Sequence, residues 1–172
     1  MASTTIPGAR RRGFPAAVIQ PILGAAAAAC LAIDAYVHFH DAGLYDAVTT
    51  RVLSQATLFR VQASLAAAAG VPLLIRPSRL RWAAALMIAG SAFGAVMRYR
   101  YVNVGPLVPV PDMYEPTWVS PGKLAAAWAE GSATVLAAAG LLLAVSARRH
   151  RPMTRAEGRP GRPATSRGPG QK

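Results

Sequence analysis

The chain has 172 residues, 53% of them hydrophobic and only 15% charged, with a formal net charge of +12. A soluble domain carries about 25% charged residues, so a water-soluble globular class is excluded. The charge alone would suit nucleic acid, but the basic residues gather at the ends of apolar blocks, and that placement argues against it.

The single cysteine, Cys30, rules out an internal disulfide and any CxxC metal or redox motif. Residues 1–13 carry Arg10, Arg11 and Arg12 and are expected to be a disordered basic segment. The "RRGF" and "AAAC" stretches that follow only weakly resemble export signals. The apolar run continues past Cys30 to Val37, too long for a signal core, so a retained span is expected over residues 14–37.

Three further apolar blocks cover residues 52–75, 82–99 and 124–146. Each is close to the ~20 residues that cross a hydrocarbon core of ~30 Å. None alternates as a barrel strand would, and only helices or closed barrels satisfy their backbone in lipid. The expected fold is therefore all-α: a transmembrane four-helix bundle with loops 38–51 and 100–123 on one side. Fourteen of the nineteen Lys and Arg residues fall on the other side, among them Arg76, Arg79, Arg81 and the run after Ser146. By the positive-inside rule both termini are cytoplasmic, and the expected location is a bacterial inner membrane. Residues 147–172, rich in Arg, Pro and Gly, are expected to be a disordered basic tail touching anionic lipid.

Polar residues inside spans are costly and face a partner or a cavity. Asp34 lies ~6 Å, Glu130 ~9 Å and Arg60 ~12 Å from the side of loops 38–51 and 100–123 at a rise of ~1.5 Å per residue. Cys30, Asp34, His38 and Asp41 follow a spacing that lines one helix face. Gln55, Phe59 and Gln62 share a face of the second span, and "GSAFG" at 90–94 offers a small-residue packing site. Two outcomes stay open for Asp34, His38, Arg60 and Glu130. In one, Arg60 pairs with Glu130 or Asp34 and locks the helices. In the other, the four line a polar pocket for a quinone or other small molecule, a metal or a proton relay.

His38 and His40 are weak metal candidates. Two residues apart on a regular helix they cannot share an ion, although a mixed site with Asp41, Met113 or Glu115 is conceivable. No metal or cofactor is expected. The loop 100–123 holds five prolines and is expected to fold over the bundle as a lid through Met113, Tyr114, Glu115 and Trp118.

The run "DAYVHFHDAGLYDAVTTRVLSQATLF", with His38, His40, Tyr45, Leu58 and Phe59, resembles the first loop and second span of small four-span bacterial membrane proteins of an uncharacterised family. The layout is also similar to DoxX-like proteins and to quinone-linked membrane subunits. The resemblance implies a four-span fold and carries over no catalytic residue. No nucleophile–base set, phosphate loop or haem motif is present, so the sequence leans away from an enzyme. The expected function is an accessory or interaction subunit, its partners the bilayer and other membrane subunits or a second copy. The alternative is a membrane redox or small-molecule-binding protein using the polar pocket.

Overall fold

The computed structural model of the chain describes residues 16–119 and 122–149. The expected basic N-terminal segment and most of the expected tail lie outside them.

Four helices follow one another: α1 (Ala16–Asp41), α2 (Gln55–Ile75), α3 (Arg79–Tyr101) and α4 (Lys123–Arg149). Each contains a stretch long and apolar enough to cross a bilayer, the mark of a multi-pass membrane protein. No strand is formed among the described residues. The first helix runs four residues beyond Val37, so His38 and Asp41 are helical rather than part of a loop. The last extends to Arg149, three residues into the expected tail.

Local chemistry sets the ends of the helices. A short 3-10 turn, Ala42–Tyr45, follows α1. Ser54 caps α2 by accepting from the Thr57 backbone N–H at 3.1 Å. Ser78 caps α3 in the same way from Arg81, at 3.4 Å. Caps of this kind contribute about 1 kcal/mol each. Between α2 and α3, the Arg81 guanidinium donates to the carbonyls of Pro72 and Arg76, at 3.1 and 2.6 Å. Arg79 donates to the carbonyls of Ala144 and Val145. Basic side chains near a helix C-terminus suit both its dipole and its unpaired carbonyls.

The core is built from small residues. Ala27, Ala66, Ala69, Ala85, Ala89, Ala133 and Ala137 are buried together around Leu31, Leu73 and Trp82. Large side chains such as Ile22, Leu74, Met87, Trp128 and Leu142 point outward. Small-inside, large-outside is how helices pack where lipid, not water, is the solvent. α1 packs mainly on α2 and α4, α3 packs on α4, and the α2–α3 seam is the loosest of these.

Three glycines allow the close approaches. A Cβ on Gly140 would overlap the Trp82 indole, and one on Gly24 would meet the Leu73 carbonyl oxygen at 2.9 Å. Gly131 receives the Phe93 ring. The "GSAFG" motif contributes less than its pattern suggests: beside Gly90 only Thr134 comes near, and beside Gly94 there is open space. Trp82 donates from Nε1 to Gln20 Oε1 at 2.6 Å, and Gln20 Nε2 donates to the Gly140 carbonyl at 3.0 Å. This chain of hydrogen bonds ties α1, α3 and α4 together at the arginine-rich end.

Candidate functional site

At the opposite end, α1 and α3 finish while α2 and α4 begin. There Asp34, His38 and Glu130 meet in the interior. Asp34 and Glu130 are fully buried and His38 nearly so. The i, i+4 spacing of Asp34 and His38 stacks them on the α1 face that looks toward α4. His38 Nδ1 lies 2.8 Å from Asp34 Oδ1 and 3.1 Å from the Asp34 backbone oxygen. The ring nitrogen thus has two acceptors in reach: the backbone oxygen takes its hydrogen bond, and Oδ1 is its ion-pair partner whenever the imidazole is protonated. His38 Nε2 then faces Glu130 Oε1 across 3.7 Å, too far for a hydrogen bond. Gln62 Nε2 donates to the other Asp34 oxygen at 2.9 Å.

Both Glu130 oxygens lack a hydrogen-bond partner. Thr134, one turn on, bonds the Glu130 backbone carbonyl instead, at 2.7 Å. Phe59 closes one side with its ring edge-on to His38 at a centroid distance of 5.0 Å. Tyr45 packs on the same ring at 4.9 Å.

Directly against this cluster is a cavity of about 180 Å³. Leu58, Phe59, Ala92, Ala95 and Val96 give it apolar walls; His38, Glu130, Gln55, Gln62 and Tyr99 give it polar points. Met113 and Glu115 reach it from the loop after α3. That loop is held down at several places. Glu115 donates its backbone N–H to the Tyr99 carbonyl at 3.2 Å. Lys123 Nζ donates to the Glu115 carbonyl at 2.6 Å and pairs with its carboxylate at 3.3 Å. Tyr45 donates to the same carboxylate at 3.5 Å.

The structure brings together three of the four residues named from the sequence. Arg60 is not among them: it is exposed and pairs with Asp46 at 3.5 Å, so the expected pairing with Asp34 or Glu130 is replaced. The reason is helical geometry. One residue past Phe59 turns a side chain by ~100°, which carries Arg60 off the face that Phe59 and Gln62 present to the cavity. His40 also lies apart, exposed and stacked on Tyr36 at 5.6 Å. Of the proposed lid residues, Met113 and Glu115 touch the cavity. Tyr114 points out, and Trp118 sits between the Arg100 and Lys123 cations.

Gln62 and Tyr45 stand in the sequence only as a face-sharing residue and as part of a resemblance, not as site candidates, and Lys123 is no candidate there at all. Gln62 had a usable signal, three residues from Phe59 on the same face. The Lys123–Glu115 contact joins a helix start to a proline-rich loop and has no periodic signature.

This arrangement defines a class: a multi-pass helical membrane protein with a buried carboxylate–imidazole cluster opening onto a small cavity at one end. No known protein family, curated protein or solved structure matches the chain.

Proposed function

We propose that the protein sits in a bacterial inner membrane with both termini cytoplasmic and binds a small ring-bearing molecule, of quinone type, in the cavity beside His38 and Glu130. The orientation rests on the arginines. The loops 42–54 and 102–119 then face outward, and the cavity opens on that side.

The observation that carries the proposal is the cavity itself. Drug-sized ligand sites are ~300–1,000 Å³; one of about 180 Å³ suits a single ring or headgroup. Its walls are apolar and aromatic, while Gln55, Gln62 and Tyr99 place donor-bearing polar groups at its edge. Quinone carbonyls need such donors at the rim of an apolar slot. The loose α2–α3 seam offers a hydrophobic ligand a route from the bilayer. The accessory-subunit role has no comparable observation behind it. The groove lined by Phe93, Met97, Trp128 and Leu136 suits an acyl chain as well as a partner helix.

The test is extraction. Protein purified in mild detergent and passed through gel filtration should retain an isoprenoid quinone or similar ring compound near one per chain, identified by mass spectrometry. Protein that carries no such compound and takes none up when it is added would rule the proposal out.

A further inference from the structure

The cluster below the cavity has a property that ring binding does not explain. Four atoms able to serve as metal ligands converge there. Asp34 Oδ1 and both Glu130 oxygens are buried and without a hydrogen-bond partner. His38 Nδ1 lies 3.1 Å from the Asp34 backbone oxygen, and in the neutral tautomer with its proton on Nδ1 the Nε2 lone pair is turned toward Glu130. Among the described residues, the only basic group within ion-pair distance of Asp34 or Glu130 is His38 itself. Arg60 is spent on Asp46, and Lys123 on Glu115. Two buried carboxylates without a compensating cation are costly in a membrane interior.

We propose that Asp34, His38 and Glu130 hold a divalent first-row transition ion of the Mn²⁺, Fe²⁺ or Zn²⁺ type. One ligand atom from each residue lies within 4.8 Å of the others. Ligands bound at ~2.1 Å to one ion stand roughly 3–4 Å apart, so closure of the widest pair by about 1–2 Å makes a first coordination sphere. The 3.7 Å between His38 Nε2 and Glu130 Oε1 already has that spacing. Two carboxylates and a neutral imidazole also balance the charge of a divalent ion.

The donor set is oxygen and imidazole nitrogen without thiolate, which favours these ions over Cu(I). Gln62 donates to Asp34 Oδ2 from behind, as a group that orients a metal ligand does. His38 and Glu130 also line the cavity, so water or a bound ring oxygen there would have access to an ion that they hold. The site differs from the one that His38 and His40 suggest in sequence: only His38 takes part. It requires no ring compound in the cavity.

The experiment uses full-length protein without a polyhistidine tag, purified in detergent, stripped with chelator and titrated with Mn²⁺ or Zn²⁺ alone. Bound metal is measured by elemental analysis, and Mn²⁺ also by its electron paramagnetic resonance signal. Wild type should bind one equivalent and melt at a higher temperature when loaded. Glu130→Gln and His38→Gln should lose that equivalent; Gln62→Leu should weaken it by ~10–100-fold; His40→Gln should leave it unchanged. Circular dichroism and gel filtration report which variants remain folded, and the milder Gln62→Leu keeps the test decisive where a ligand variant does not fold. Folded wild type that retains and binds no metal, or Glu130→Gln that binds as wild type does, would overturn the proposal. The carboxyls would then share protons instead of an ion.

Discussion

Glu130 Oε1 faces His38 Nε2 across 3.7 Å, joining α4 to α1 without a hydrogen bond between them. The contact is buried on both sides, and among the described residues no arginine or lysine lies within ion-pair distance of it. Among the described residues, no arginine or lysine joins one helix to another at this end. This end is held by apolar packing, the Gln62–Asp34 hydrogen bond and the anchored loop.

The first prediction concerns Arg60. Its partner Asp46 is exposed, and exposed pairs contribute about 0–1 kcal/mol. Arg60→Gln should therefore shift the melting temperature little. Combined with Glu130→Gln, its effect should be additive within ~0.5 kcal/mol. A double mutant that recovers a large part of the Glu130→Gln loss would show direct coupling and contradict the observed pairing.

A second prediction concerns the arginine-rich end. Trp82→Phe leaves the Gln20 Oε1 acceptor unanswered in an apolar setting. An orphaned buried group costs ~1–3 kcal/mol. Gly140→Ala pushes a methyl into the Trp82 ring, and overpacking costs ~1–3 kcal/mol. Both variants should lower the unfolding midpoint in detergent while leaving ligand or metal binding at the far end intact. Loss of binding with an unchanged midpoint would reverse that assignment.

A third prediction concerns the loop after α3. Lys123→Met removes its ion pair to Glu115 and its hydrogen bond to the Glu115 carbonyl. Limited proteolysis within residues 102–119 should speed up, with the helices still protected. Gly122→Ala should have a related effect. Gly122 has φ +74°, and a Cβ there would overlap the Asp41 carboxylate and Val37. An L-residue in that conformation costs ~1–2 kcal/mol before the overlap is counted. Cleavage at the wild-type rate in both variants would show that these contacts do not hold the loop.

Much of this architecture is written in the sequence because lipid makes composition informative. Apolar blocks of about twenty residues become helices, and polar residues inside them must find one another. That logic leads to Asp34, His38 and Glu130, which sit on the inward faces of α1 and α4. It also leads to Arg60, which shares their depth but not their direction. Depth tells how far a side chain lies from water; only the ~100° step per residue tells which way it points. The Gln20–Trp82–Gly140 chain and the Lys123–Glu115 anchor were not legible at all. Each depends on the register between helices far apart in sequence, which no local pattern encodes. The "GSAFG" motif shows the converse: a valid packing pattern whose second glycine meets open space.

The most direct measurement is an equilibrium titration of a short-chain quinone into the purified full-length protein, read by quenching of tryptophan fluorescence. Wild type is compared with Ala95→Phe, which puts a ring into the cavity from the α3 wall. Wild type should saturate at one ligand per chain. Ala95→Phe should bind at least about tenfold more weakly, a difference of ~1.4 kcal/mol, while melting close to wild type. No saturable binding to wild type, or equal affinity in the two proteins, would contradict a ring-binding cavity beside His38 and Glu130.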